Sequence, residues 1–413
     1  MSESYKPLFN RTYLKVILWV VAIAIVLLSS SGSDRNDYIT VQQIDQQPVY
    51  FVSLDKRDTL ELQFIYRLGA ALSSEKQLMH RLLEDLITEQ LDSEASQQLL
   101  GSMQARTSVQ LLDDRLTIYL SLPTKALSDH QQLTALPGRL TRLLDEADRN
   151  VDLEHRWNRL EAELYLQNKK PEANLLHHFG ELIDSRSGVH PIQKFPSYFD
   201  SVINNRELTI ALYGPQSKLI AQAVASQLPG YQTSIPLATP ALTPARRTLP
   251  SMGNTPYVLT GTTLKGRQSD EFAKQLLAVR TLQALLKNQQ QLKYRLIWKP
   301  LDNSGYLTMM LHGSRLPTDP EQLQGVYDDL QTGLDTALID STRDALQKQF
   351  KQRMEQQEAQ LGMLNAIAFY QLPVDYMPRF SQTLDKVDNN DVLRLVKQYL
   401  NSKQSHFIYL PAL

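Results

Sequence analysis

The segment QLMHRLLEDLI, residues 77–87, places a histidine, an arginine, a glutamate and an aspartate on one short stretch. His80 and Glu84 are four positions apart and share a helical face, the spacing with which an imidazole and a carboxylate can hold one metal ion. The apolar residues Leu78, Met79, Leu82, Leu83, Leu86 and Ile87 recur at helical spacing, so this chemistry rides on a buried helix. Three roles are open for it: a metal site, the remnant of one, or ordinary helix surface. A second candidate, LLHHFGELID, carries His177 and His178 side by side. Adjacent helix positions do not face one point, so a joint metal site is not expected there and a packing or surface role is the default. No G-x-S-x-G, P-loop or dinucleotide fingerprint occurs, which leaves serine-hydrolase and nucleotide-dependent readings without support. With no cysteine in the chain, any zinc would need histidine and carboxylate ligands.

The elements that must position these residues alternate between strand and helix patterns. PVYFVSL (48–54) and LELQFIYRLGA (60–70) read as strands, followed by a helix over 74–90 and a polar helix to about residue 100. ARTSVQLLDDRLTIYLSLP reads as a strand pair turning at Asp113–Asp114. Helices are expected over 129–147, 153–169 and 172–184, then a strand at 207–214 and a further helix. The stretch 229–255 is rich in proline and lacks periodicity, so it reads as an extended linker. Beyond it the spacing predicts a strand at 256–262, a helix at 269–288 and strands at 292–299 and 305–312. Helices at 319–336, 340–368 and 389–401 and a last strand, HFIYLP, close the chain. The run RDALQKQFKQRMEQQEAQ within the long helix reads as a solvated face. The same order on both sides of the linker gives an α+β chain of two similar domains, 46–228 and 256–413.

At the motif helix the sequence resembles the insulinase/pitrilysin-type zinc peptidases, whose signature is H-x-x-E-H on a helix with a distal glutamate on another. YRLGAALSSEKQLMHRLLEDLI resembles the family's strand, Gly-small segment and motif helix. GSMQARTSVQLLDDRLTIYL is similar to its substrate strand and hairpin, RWNRLEAELYLQNKKP to its distal-glutamate helix, and LLKNQQQLKYRLIW to the segment that carries an arginine and a tyrosine. LDKVDNNDVLRLVKQYL and HFIYLP resemble the closing helix and strand.

Carried over by position, the resemblance puts Arg81 where the first metal histidine belongs, Glu84 at the general base and Asp85 at the second histidine. It puts Glu163 at the distal ligand. Tyr294 matches the family tyrosine and Lys287 stands for the arginine. Gln104 replaces the strand asparagine, with Ala105 and Thr107 retained. His190–Pro191 resembles a His-Pro loop, here trimmed.

These departures imply a degenerate, half-size member. A guanidinium has no lone pair for a metal and keeps its charge, so Arg81 is expected to act as a counter-ion among Glu84, Asp85 and Glu163. No cofactor is expected, and no group remains to lower the pKa of an attacking water. A variant zinc site of His80, Glu84 and Glu163 is the alternative, and a scaffold that binds no peptide is another.

The chain's 413 residues carry 43 basic and 44 acidic side chains with no long basic run, so nucleic acid is not an expected partner. Val16–Leu28 is an uninterrupted apolar run behind Lys6, Arg11 and Lys15. It reads as a single-pass anchor over 13–29 or, alternatively, a signal peptide, with 1–12 as a cytoplasmic tail and 30–45 as a tether. The expected setting is a bacterial inner membrane with the bulk of the chain periplasmic. The expected partners are peptides and a second insulinase-type subunit with an intact motif.

Overall fold

The computed structural model describes residues 38–125, 130–147, 152–184, 191–203, 208–226, 243–287 and 293–413. The expected tail and membrane segment, residues 30–37 of the expected tether, His190 and residues 229–242 of the expected linker lie outside them. Among the described residues no helix is long and apolar enough to cross a membrane.

The first sheet contains β1 (Gln42–Gln43), β2 (Val49–Ser53), β3 (Thr59–Arg67), β4 (Arg106–Leu111), β5 (Arg115–Pro123) and β6 (Thr209–Gly214), in the order β1-β2-β6-β3-β5-β4. The TIALYG of β6 is buried at every position, as a strand covered on both faces must be. Alternation in β3 sends Leu60, Leu62, Phe64 and Tyr66 into the main core and Gln63 and Arg67 to the opposite face. The core face is covered by α1 (Ser74–Asp92), α2 (Glu94–Ser102), α3 (His130–Asp145), α4 (Leu153–Asn168), α6 (Pro191–Ile203) and α7 (Ser217–Ala225). Ser73 caps α1 by accepting from the Lys76 amide, and Ser93 caps α2 through the Ser96 amide.

The second sheet runs β7 (Arg246–Thr248), β11 (His406–Leu410), β8 (Tyr257–Lys265), β10 (Ser304–His312), β9 (Lys293–Pro300). Period two again divides its residues. Val258, Met309 and Phe407 face α8 (Phe272–Lys287), α9 (Pro320–Gln331), α10 (Thr336–Met354), α12 (Tyr376–Asp385) and α13 (Asn389–Tyr399). Leu259, Met310 and Ile408 face α5 (Pro171–Ile183).

The two halves therefore exchange helices. Helix α5, from the first half, covers the second sheet through Leu175, Phe179 and Ile183. Helix α11 (Gln357–Phe369), from the second half, lies on the polar face of the first sheet, with Asn365 Nδ2 donating to Gln63 Oε1 at 2.9 Å. Two glycines permit the approach of α5. A Cβ on Gly261 would lie 2.4 Å from the Phe179 ring, and one on Gly180 would lie 2.1 Å from the Leu72 carbonyl oxygen.

Several elements differ from the sequence expectation, the short β1 inside the expected tether among them. The helix expected over 340–368 is broken at Glu355–Gln356, because its second part turns onto the first sheet. Residues 246–248 of the expected linker are a strand, paired in parallel with β11. The segment after His190 is helix α6, in which Phe195, Phe199, Val202 and Ile203 are buried although Pro196 interrupts its hydrogen bonding. Helix α12 was not expected at all.

Candidate functional site

The motif helix α1 and the distal helix α4 pack side by side and antiparallel. Arg81 donates from Nη2 to Gln167 Oε1 at 3.2 Å, Asp85 pairs with Arg159, and Glu89 meets Arg156 at 2.6 Å. As numbers climb along α1 the partners descend along α4, so the face that the resemblance assigns to metal chemistry is laced by a ladder of charged and polar contacts. Glu163 sits on the same α4 stripe between Arg159 and Gln167, is exposed, and forms no ion pair among the described residues.

The expected grouping around Arg81 is thus redistributed. Its hydrogen bond goes to Gln167, while the cation that neutralises Asp85 is Arg159, which sequence reasoning missed. The stripe Arg156, Arg159, Glu163 and Gln167, at offsets of three and four, was the available signal.

Glu84 is half-buried and reaches the end of the edge strand β4, where the Leu111 main chain hydrogen-bonds its carboxylate. Burial pushes its pKa up, adjacent Asp85 adds to the rise, and the Leu111 bond and the Arg81 charge oppose it.

His80 lies on the buried side of α1, 3% exposed, with its ring stacked on Tyr198 at 6.0 Å between centroids. Burial pushes its pKa down to about 4, so the imidazole is neutral at ordinary pH. His80 and Glu84 therefore engage different neighbours, Tyr198 and Leu111.

The expected substrate strand starts later than its motif. Gln104 takes a left-handed φ of 51°, and Ala105 donates its amide to the Leu100 carbonyl, so both belong to the turn leaving α2. Thr107 is in β4, opposite Leu120. Because β4 ends its sheet, no strand among the described residues lies along its outer backbone edge. Tyr294 is on β9, an edge strand of the other sheet, with its pKa raised by burial, and Lys287 is exposed at the end of α8. Among the described residues no hydrogen bond or ion pair joins either to α1.

A zinc ion does not fit the residues at the motif. Arg81 offers no donor lone pair, Asp85 is already paired with Arg159, and two carboxylates without an imidazole are short of the three protein ligands of a hydrolytic zinc site.

A different histidine group does assemble. His177, His178 and Glu181 lie close enough to share one ion, although the two histidines are sequence neighbours. Glu181 stands between the two rings, one oxygen 3.6 Å from His177 Nε2 and the other 3.2 Å from His178 Nδ1. Spacings of three and four thus achieve what adjacency alone could not.

No protein-family model matches the sequence, and no curated protein matches it. Solved structures do. The chain is similar to the peptidase M16 inactive domain from Pseudomonas fluorescens, at 15% identity and a TM-score of 0.66 over 90% of this chain and 98% of that one. A protease from Helicobacter pylori matches at 12% identity and 0.60 over 91% of this chain and 100% of that one. The first half of the periplasmic protease PqqL from Escherichia coli matches at 11% and 0.60, over 91% and 92%. Likeness at these identities shows the fold: the chain has the two-sheet α+β architecture of insulinase-type peptidases.

Proposed function

We propose that this chain is a membrane-tethered, catalytically silent insulinase-type homologue that binds peptides or acts as the partner subunit of an active zinc peptidase. The observation that carries the reading is the ladder between α1 and α4, in which the two positions of the missing histidines are occupied by Arg81, bonded to Gln167, and Asp85, paired with Arg159. A general base at Glu84 then has no metal-bound water to act on. The description of the Pseudomonas neighbour as an inactive domain is in keeping with this role.

Peptide uptake needs no metal. The outer edge of β4 presents backbone donors and acceptors to which an extended segment can add as a further strand. In this reading a second insulinase-type subunit with an intact motif supplies the chemistry, and Tyr294 and Lys287 of this chain contribute to the shared chamber. The apolar run over 13–29 tethers the assembly to a bacterial inner membrane, with the folded part on the periplasmic side.

The test is hydrolysis of unstructured peptides by the purified full-length chain supplied with zinc, beside its Glu84→Gln variant. The expected result is no turnover by either and cross-linking of peptide to residues 106–111. Turnover by the parent chain that disappears in Glu84→Gln would overturn the silent role.

A further inference from the structure

We propose that His177, His178 and Glu181 form a binding site for a divalent transition-metal ion of the zinc class, in which Arg247 is the displaceable counter-ion. This site is separate from the motif face and independent of the function proposed above.

Ligand geometry is the first argument. Zinc bonds of about 2.0–2.1 Å at tetrahedral angles put neighbouring ligand atoms about 3.3 Å apart. One ligand atom from each of the three residues lies within 4.8 Å of the others, and each imidazole already has one Glu181 oxygen, Oε1 at 3.6 Å for His177 and Oε2 at 3.2 Å for His178, near that edge length. Two imidazoles with one carboxylate suit zinc, nickel or copper(II) and not the oxygen-seeking magnesium or calcium.

The second argument is the outer partners. Ser74, in the first turn of α1, hydrogen-bonds His177 Nδ1, which fixes the ring and turns Nε2 toward Glu181. Metal-binding histidines are held in this way, with one ring nitrogen engaged by the protein and the other directed at the ion. Arg247 Nη1 lies 3.2 Å from His178 Nδ1 and 3.3 Å from Glu181 Oε2. A guanidinium only donates and a carboxylate only accepts, so in the tautomer protonated at Nε2 His178 Nδ1 accepts from Arg247 and has the lone pair that coordination requires. The same contact shows that the pocket between His178 and Glu181 already favours a cation.

The third argument is how the fold builds the site. Arg247 stands on β7 opposite Ile408, and α5 is pressed on that sheet by Phe179 against Gly261 and by the Leu175–Ile183 stripe. The cluster therefore joins the start of the motif helix, the exchanged helix α5 and the edge strand of the second sheet. The side chains of His177, His178 and Glu181 remain 23%, 25% and 18% exposed, so an ion and a completing water have a way in. Arg247, at 37%, has room to swing outward when the ion binds.

The experiment titrates the full-length chain, stripped with a chelator, with Zn²⁺ in competition with a chromophoric chelator, and reads Co²⁺ absorption for tetrahedral coordination. One ion per chain is expected. Binding should fall more than about 100-fold in His177→Gln with Glu181→Gln, and about 10-fold or more in Ser74→Ala, the range for loss of an outer partner. Arg247→Ala removes a competing cation while keeping every ligand, so it should tighten binding several-fold. That arm stays informative if the double variant fails to fold, as judged by circular dichroism. Glu84→Gln with Glu163→Gln should leave the titration unchanged. The site is overturned if the His177→Gln, Glu181→Gln protein folds and binds zinc like the parent, if Arg247→Ala weakens binding, or if the Glu84→Gln, Glu163→Gln variant loses the ion.

Discussion

Two charged regions of this molecule use similar side chains under opposite conditions. The ladder between α1 and α4 lies at the surface, with Arg159 52% and Asp85 32% exposed. The seam where α11 meets the first sheet is buried. There Arg115 binds Asp114 at 2.9 Å, the Tyr370 hydroxyl at 2.9 Å and Asn365 at 3.0 Å, while Asn365 continues to Gln63 and Thr117. Arg67 pairs with Asp302 and donates to the Phe369 carbonyl at 2.9 Å, and both guanidinium groups lie over the Phe369 ring. In the seam each charge is satisfied by several fixed partners, as burial demands. On the ladder, among the described residues, Asp85 and Arg159 meet each other alone, at the solvent-exposed surface. Buried charges with several partners thus join the two halves, whereas the motif face carries exposed charge that water could replace.

The largest effect should come from breaking the seam. Arg115→Met leaves Asp114, 2% exposed, without its cation, and loss of one partner of a buried pair costs about 3–5 kcal/mol. Urea unfolding of the full chain measures it. A loss below about 1 kcal/mol would put the seam in the same class as the ladder and end the contrast.

His80 gives the next effect and separates the two sides of the motif helix. The folded state holds this imidazole near pKa 4 against an ordinary 6.5, so the unfolded chain takes up the proton first as pH falls. Its contribution is fully present above pH 6.5 and is lost progressively toward pH 4, amounting to about 3 kcal/mol at about 1.4 kcal/mol per unit. His80→Gln should flatten the fall in melting temperature across that window. An unchanged acid limb would mean that His80 is solvated in the folded protein, contrary to its packing on Tyr198.

The same contrast explains what could be read from the chain alone. Helix α1 was legible because Leu78, Leu82 and Leu86, with Met79, Leu83 and Ile87, repeat at helical spacing and bury as they predict. The hairpin of β4 and β5 was legible from alternation around Asp113–Asp114. The break at Glu355–Gln356 carries no glycine or proline, since its cause is the distant first sheet on which α11 settles. Strand β7 exists through its pairing with β11, and three residues carry too little pattern to announce it. At the motif, the identities of Arg81 and Asp85 were plain, but their partners depend on the antiparallel packing of α1 on α4. The meeting of His177, His178 and Glu181 depends on a carboxylate at spacings of three and four, which the adjacency of the two histidines does not reveal.

The smallest expected effect is on the ladder itself. A double-mutant cycle on Asp85→Asn and Arg159→Gln should give a coupling of about 0.2–1 kcal/mol, the range of exposed ion pairs, because water solvates both charges once they part. Added salt should reduce that coupling further, since exposed charges are screened within about 10 Å at 0.1 M. The seam pair Arg115 and Asp114, shielded from solvent, should keep its coupling under the same salt. If the Asp85–Arg159 coupling instead exceeds about 2 kcal/mol and ignores salt, the motif face is a rigid structural joint. Arg81 and Asp85 would then be there to lock α1 to α4, and the soft, water-replaceable surface inferred for that face would be wrong.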